Sequence, residues 1–558
     1  MTKLWVEKSY PKDVPATVDI QKYLSINEIF DKYSAQWADI DAFISLHTRM
    51  TYRQLAQHVQ AFSNYLRVDL GLKKGDKFAI MMPNCLQYPI AIFAALQAGL
   101  VVVNVNPLYT PRELEHQMND SGAKGILIIE NFASTLEKVI DKTSVKHVIT
   151  TQLADRVPGF KGALINFMVK HVKKMVPKFN LNVDATFNQA LKLGAKHEFQ
   201  QVEVIPSDLA FLQYTGGTTG VAKGAMLSHR NIVANLQQMK ASILPAIDEG
   251  NEILVTALPL YHIFALTCNC LAFMTFGGTN LLISNPRDFS TFAKTIAKYP
   301  FTAFTGVNTL YNGLMNAPEF KDIDFSHLKF SVAGGMATQE AVANRWQELT
   351  GSAILEGFGL TECSPCASSC PYNQRQFNGS VGLPLPSTDM KVVDEEGNEQ
   401  PIGQPGEIWL KGPQVMEGYY NRPEATAEVI KDGWLATGDI GVMDENGYFS
   451  IVDRKKDMII VSGFNVFPNE IEEVLVSHPD VIEAAAIGVP CAQTGEKIKI
   501  YLATYSGRLN EQEMMDFCRT NLTNYKVPRE FELMDELPKS NVGKILRKDL
   551  REATPQVA

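Results

Sequence analysis

Residues 214–224 read Tyr-Thr-Gly-Gly-Thr-Thr-Gly-Val-Ala-Lys-Gly, directly after an apolar run at 209–212. No other stretch constrains the chain so tightly. Glycine lets backbone approach an anion with no Cβ in the way. Successive N–H groups in such a turn form a concave anion site. The threonine hydroxyls add donors, and the lysine adds a point charge. A plain hairpin turn would account for the glycines but not for the hydroxyls and the lysine. A strand feeding this loop therefore reads as a phosphate site. It is not a Walker A loop, which needs Gly-Lys followed by Ser or Thr. Here Lys223-Gly224 runs into Ala225, and the chain's one Gly-Lys pair, Gly543-Lys544, precedes Ile545.

A chain of 558 residues buries a large core and divides into two or more domains. Apolar segments at 77–82, 100–103, 253–258, 280–283 and 301–306 alternate with helical patterns such as 51–66 and 88–97. That alternation predicts an α/β fold with layered, largely parallel sheets. After residue 400, Gly403, Pro405, Gly406, Gly412, Gly418 and Pro423 punctuate short strands such as 407–411. They mark a β-rich subdomain at about 385–453. The charged run 453–457 suits a domain boundary. Beyond it a helix at 468–478, strands at 484–489 and 498–505, and a helix at 510–522 predict a small α+β domain. The expected division is 1–453 and 454–558.

Several function classes drop out on composition. The net charge of −9 argues against a nucleic-acid-binding surface. Residues 89–103 are apolar but broken by Gln97 and Gly99, too short to span a bilayer. Eight cysteines in a chain this long do not make a disulfide scaffold. With no apolar signal segment at residues 1–10, the expected location is the cytoplasm. Cys363, Cys366 and Cys370 have no fourth ligand at matching spacing and read as inert thiols. Residues 161–178 hold Lys161, Lys170, Lys173, Lys174 and Lys178 and no acid. Leu164, Ile165, Met168, Val172, Met175 and Val176 fall near one helical face. Such a helix suits peripheral contact with an anionic membrane, or packs on its own domain; the pattern fits both.

Further strings carry chemistry. Leu258-Pro259-Leu260-Tyr261-His262-Ile263-Phe264 puts a histidine among aromatics. Glu356-Gly357-Phe358-Gly359-Leu360-Thr361-Glu362 offers an aromatic face and a carboxylate, a hard oxygen donor. Thr437-Gly438-Asp439 offers a carboxylate that can accept from two vicinal hydroxyls. Arg454, Lys456, Ser462-Gly463-Phe464-Asn465-Val466 and the run from Pro538 through Gly543-Lys544 to Arg547 follow in order.

Together with the 214–224 loop, these strings resemble the adenylate-forming superfamily of acyl-CoA ligases, peptide-synthetase adenylation domains and luciferases. The likeness covers nearly the whole chain, Gly75-Asp76 and Ala98-Gly99 included. Residues 432–456 resemble the fatty acyl-CoA synthetase signature, with Ala436 standing where many relatives carry His. The resemblance implies an AMP-forming ligase joining a long-chain fatty acid to CoA, with ATP and CoA as co-substrates and Mg²⁺ as cofactor. It implies ATP binding on Tyr214, Thr215, Gly216, Gly217, Thr218, Thr219, Gly220, Lys223 and Gly224, with Thr215 through Gly220 and Lys223 on the β- and γ-phosphates. Gly357, Phe358, Gly359 and Thr361 fall to the nucleotide, Thr218 and Glu362 to the metal, and Asp439 and Arg454 to the ribose. Lys544 falls to the reacting phosphate, Lys456 to a hinge, Gly463 to the CoA path, and Tyr261, His262 and Phe264 to the acyl pocket. Catalytic roles then rest on Thr218, Lys223, His262, Glu362 and Lys544. A homodimer is a further expectation. A carrier-protein-loading ligase, an aryl- or medium-chain ligase and a luciferase-type oxygenase share the ATP motifs. A non-catalytic relative should have lost Lys223, Glu362, Asp439 or Lys544, and all four are present.

Overall fold

Four sheets organise the protein in a computed structural model that describes residues 3–215, 222–462, 464–491, 493–540 and 543–554. The first has seven strands. Its parallel part runs Ala185–Thr186, His147–Thr151, Gly125–Ile129, Lys77–Met81, Val101–Asn104 and Leu209–Thr215. Lys223–Ser228 closes its edge as the antiparallel return of the glycine-rich loop. The second has nine strands. Ile354–Gly359, Phe330–Gly334, Ala303–Gly306, Ile253–Thr256, Thr279–Leu282 and Asp41–Ser45 are parallel neighbours, and antiparallel strands finish both edges. These central strands are nearly continuous apolar runs, as strands covered on both faces must be.

The helix Gln87–Gln97 is buried at all eleven of its residues, which places it inside the core. It ends where Gly99 takes φ 72°, the left-handed turn that glycine adopts without strain. The apolar stretch 89–103 is thus a core helix followed by a strand. Among the described residues no helix is long and apolar enough to cross a membrane. The helix Tyr52–Asn64 begins with a capping box formed by Thr51 and Gln54. Trp346 is fully buried, packs on Phe304, Tyr311, Phe320 and Phe325, and donates its indole N–H to Ser331 Oγ at 2.9 Å.

A five-stranded sheet follows, with Asp389–Val393, Gly406–Lys411, Trp434–Met443 and Phe449–Arg454 antiparallel in turn. The last sheet pairs Val481–Cys491 with Gly495–Thr504 and is flanked by Pro468–Val476 and Glu511–Asn521. This is the expected α/β body with a β-rich part and an α+β C-terminal region. All eight cysteines are free thiols.

The basic segment departs from expectation. Its helix runs Gly159–Phe167, continues as a wider turn over Met168–Val172, and stops there rather than at 178. Lys174 has φ 51°, and Pro177 holds the residue before it out of the helical region. Its apolar side chains do not pack inward: Phe160 is 81% exposed, Phe167 56%, Val172 63% and Met175 55%.

Candidate active site

The glycine-rich loop leaves a hairpin in which Tyr214 pairs with Gly224 and Thr215 with Lys223. Gly216, Gly217, Thr218, Thr219 and Gly220 lie outside the described residues, as does Gly463, so the site is built from its rims. The base of the loop is fixed from several sides. Tyr214 donates its hydroxyl to Asp120 Oδ2 at 2.7 Å, and Arg422 pairs with the other oxygen at 2.7 Å. His116 Nε2 lies 3.1 Å from the Ala222 carbonyl oxygen. Gly224 stands behind the site, where a Cβ would meet the Tyr214 ring at 3.1 Å.

Lys223 leans over the Tyr419 ring, 5.2 Å from its centroid, and Tyr419 donates its hydroxyl to Glu362 Oε1 at 2.6 Å. One tyrosine therefore links the loop lysine to the candidate metal carboxylate. It arrives because Met226 N–H donates to Gly418 O and Tyr420 N–H to Gly224 O, which stitches 418–420 onto the hairpin. Glu362 lies in the short turn Thr361–Cys363 after the strand Ile354–Gly359, which carries Gly357, Phe358 and Gly359. With Tyr419 on one carboxylate oxygen, the other has no hydrogen-bond partner among the described residues and suits a hard cation. Mg²⁺ bound through one carboxylate, substrate phosphates and water suits this donor set.

Asp439 and Arg454 face each other across the strands Trp434–Met443 and Phe449–Arg454, with Nε and Oδ1 3.4 Å apart. Burial pushes the Asp439 carboxyl up, against the pull of Arg454, Lys544 and Lys456. Lys544 enters from the C-terminal region on a hairpin in which its N–H donates to Ser540 Oγ at 3.1 Å. Burial, reinforced by Arg454, holds its ammonium down at about 7. Three residues on, Arg547 pairs with Glu472 at 2.8 Å and Asp457 at 3.4 Å, anchoring that hairpin. Lys456 is also pushed down, first by burial and then by Arg454. His262 is held at about 4 by burial and Lys544, so it is neutral at pH 7. Its Nδ1 accepts from Phe264 N–H at 3.3 Å, which leaves the ring proton on Nε2.

One cavity of about 1240 Å³ joins these groups. Tyr214, Thr215, Lys223, Tyr261, His262, Phe264, Gly357, Phe358, Gly359, Thr361, Glu362, Asp439, Arg454, Lys456 and Lys544 all line it. From that polar end an arm runs along the nine-stranded sheet. Alternate residues of a strand share a face, and here Phe330, Val332 and Gly334 face the arm beside Leu355, Gly357 and Gly359. Four steps from Gly334 to Phe330 at ~3.3 Å each span about 13 Å. Ile243, Ala272 and Phe273 line the cavity as well.

Residues 30–420 match the model of the AMP-binding enzyme, and residues 470–544 that of the AMP-binding enzyme C-terminal domain. The chain belongs to the AMP-binding enzyme family. Its relatives there include the long-chain-fatty-acid–CoA ligase of Escherichia coli O6:H1, 57% identical over 99% of this chain and 98% of that protein. That of Yersinia pestis is 55% identical over 100% and 99%. Among solved structures, ATP-bound MatB from Rhodopseudomonas palustris superposes with a TM-score of 0.81 at 28% identity, covering 95% of this chain and 99% of MatB. The anthranilate CoA ligase AuaEII with anthranoyl-AMP shares the fold, with a TM-score of 0.83 at 24% identity over 96% and 99%.

Within this AMP-binding fold, the motif residues are joined by others that no motif announced. Gln213 donates to the Tyr261 carbonyl at 2.7 Å and accepts from Asn104, which in turn accepts from Tyr88. That buried chain ties the loop of Tyr261 to the first sheet. Ala436, the departure from the signature, lines the cavity beside Thr437, whose hydroxyl donates to Ile408 O at 2.7 Å. Its small side chain leaves the Asp439–Arg454 pair in place.

Proposed function

We propose that this protein is an ATP-dependent long-chain fatty acid–CoA ligase. The reading is carried by one cavity whose polar end gathers Lys223, Glu362, Asp439, Arg454 and Lys544 and whose other end is an apolar arm. A carboxylate is a poor electrophile, so it is first made into a mixed anhydride. A fatty carboxylate oxygen attacks the α-phosphorus of ATP, the bond to the β-phosphate oxygen breaks, and pyrophosphate leaves. The thiolate of CoA then attacks the acyl carbon and expels AMP. The first step asks for alignment and charge neutralisation rather than a protein nucleophile. Lys223 and the loop from Thr215 hold the phosphates that leave. Asp439 and Arg454 hold the ribose, and Phe358 lies against the base. Lys544 neutralises charge where carboxylate and α-phosphate meet. Mg²⁺, when bound at Glu362 and Thr218, supplies further neutralisation of the phosphates. Neutral His262, with Tyr261 and Phe264, shapes the passage from phosphate to apolar arm.

The second step uses a different arrangement. Residues 454–558 turn about Lys456 relative to 1–453, which withdraws Lys544 and brings Gly463 to the CoA path. Fatty-acid-dependent ATP–pyrophosphate exchange over a chain-length series, with and without CoA, tests the assignment. Exchange with long-chain acids and CoA-dependent thioester release are expected. Absence of exchange with every fatty acid refutes the ligase, and thioester release only to a carrier protein favours the carrier-loading reading.

Such a ligase works in the cytoplasm, where ATP and CoA are available. The outward apolar face from Phe160 to Met175 supports docking on an anionic membrane, the source of its substrate. No acid occurs between Arg156 and Val183, and burial first, then Lys298 and Lys161, lower the pKa of the neighbouring His47. Lys170 is engaged with Glu130 at 2.9 Å, so Lys173 and Lys174 are the lysines to test. Each contributes on the order of 1 kcal/mol at an anionic surface. Lys173→Gln/Lys174→Gln, or Phe160→Ser/Phe167→Ser, should lower co-sedimentation with phosphatidylglycerol vesicles. Unchanged partitioning in both variants refutes the docking face.

A further inference from the structure

Lys544 reaches the site on a hairpin that belongs to the C-terminal region. Ser540 N–H donates to Lys544 O at 2.7 Å, and Leu546 N–H to Pro538 O at 2.8 Å. Those bonds shape the hairpin but do not say where it rests on the main body. The contact that does comes from the nine-stranded sheet. Strand Ala303–Gly306 gives way, through Val307, to the helix Asn308–Met315. In its first turn Thr309 Oγ1 donates to the carbonyl oxygen of Gly543 at 3.1 Å. Gly543 is the residue directly before Lys544. It has φ 81°, and a Cβ there would stand 2.5 Å from Thr309 Oγ1 and 3.3 Å from Val307 Cγ2. The Gly543 backbone therefore lies flat on Thr309, and glycine is required by both its torsion and its contact. The start of the helix is itself braced: Asn308 donates to Gln339 Oε1 at 2.9 Å, and Gln339 N–H donates to Asn308 Oδ1 at 3.1 Å.

We infer that Thr309 is a positioning residue for the first half-reaction alone: it latches the Gly543 carbonyl so that Lys544 is held over the reacting phosphate. The inference rests on the ligase reading above. Thr309 touches no reacting atom. It belongs to the helix Asn308–Met315 of the main body, whereas Gly543 moves with the C-terminal region. Any turn about Lys456 breaks the bond, so it stabilises acyl-AMP formation and contributes nothing to thioester formation. An isosteric Thr309→Val keeps the packing against Gly543 and removes the donor, leaving that carbonyl without its partner. Loss of one such neutral hydrogen bond corresponds to about three- to tenfold in the fraction latched.

The test uses the full-length chain in two single-turnover assays. Thr309→Val should lower the rate of acyl-AMP formation from fatty acid and ATP by about three- to tenfold. It should leave CoA-dependent consumption of supplied acyl-AMP unchanged, and that second activity also reports that the variant is folded. Thr309→Ser, which restores the hydroxyl, should recover acyl-AMP formation. Gly543→Ala should show the same selective loss. Wild-type adenylation by Thr309→Val overturns the latch, as do an equal loss of both half-reactions and a Thr309→Ser as impaired as the valine. Absence of fatty-acid-dependent acyl-AMP formation in the wild type overturns the ligase reading instead.

Discussion

Lys544 sits in this arrangement with its proton only loosely held, and that makes ATP binding measurable as proton uptake. Its pKa is held down at about 7 by burial, with Arg454 the next cause. A lysine in water titrates near ~10.4. Between those values the unfolded chain binds the proton and the closed site does not, so this group's contribution to stability rises with pH through that window. The difference corresponds to on the order of 5 kcal/mol held against the ammonium. An anionic triphosphate beside the amine reverses the balance, because a nearby opposite charge favours the charged form. At pH 8 a group with a pKa near 7 is about one-tenth protonated, so ATP binding should take up about 0.9 proton at Lys544. At pH 6 the site is already charged, and the uptake should fall to about 0.1 proton.

Calorimetric titration of MgATP without fatty acid, in two buffers of different ionisation enthalpy, gives the proton count. Lys544→Met supplies the subtraction for the nucleotide's own protons. Wild type minus variant should be near one proton at pH 8 and near zero at pH 6. Equal uptake by the two proteins at pH 8 would mean that the amine was charged before ATP arrived, and would refute its placement in the closed site. The same variant should lose about 10²–10³ in acyl-AMP formation and still convert supplied acyl-AMP to acyl-CoA. Equal loss of both steps refutes the assigned role.

Four further outcomes follow from particular contacts. Asp439→Asn should raise KM for ATP about tenfold or more, because hydrogen bonds to a charged group contribute more than neutral ones; an unchanged KM removes Asp439 from the ribose. Tyr419→Phe frees Glu362 Oε1 and should raise the Mg²⁺ concentration for half-maximal exchange about tenfold, as loss of an outer-shell partner does; an unshifted Mg²⁺ titration refutes the link. Val332→Phe adds bulk where the strand faces the apolar arm, and should depress exchange with long-chain acids while sparing shorter ones; an unmoved chain-length profile shows that the acyl chain lies elsewhere. Trp346→Ala empties a fully buried site and should cost about 3–5 kcal/mol in denaturant unfolding; a loss below about 1 kcal/mol would contradict its place in the core.

How far the chain could be read from its letters depends on whether a feature is local. Apolar runs such as 77–82 and 301–306 identify buried strands because both faces of a central parallel strand are covered. Gly99 marks a helix end because few other residues accept its torsion. Strand order is another matter: Asp41–Ser45 lies beside Thr279–Leu282, a pairing no window of sequence contains. The site divides in the same way. Lys223, Glu362, Asp439 and Lys544 stand in strings whose composition is itself unusual, and they line one cavity. Tyr419, His116, Gln213 and Thr309 are ordinary residues in ordinary surroundings. Each matters through partners far along the chain, among them Glu362, Ala222, Tyr261 and Gly543 in turn. The segment 161–178 shows the limit most plainly. Periodicity says which side chains share a face, but a helix bearing an apolar face satisfies that pattern whether the face turns inward or outward. Only the surrounding structure decides, and here it leaves Phe160, Phe167 and Val172 toward solvent, where a function must be sought for them rather than a place in the core.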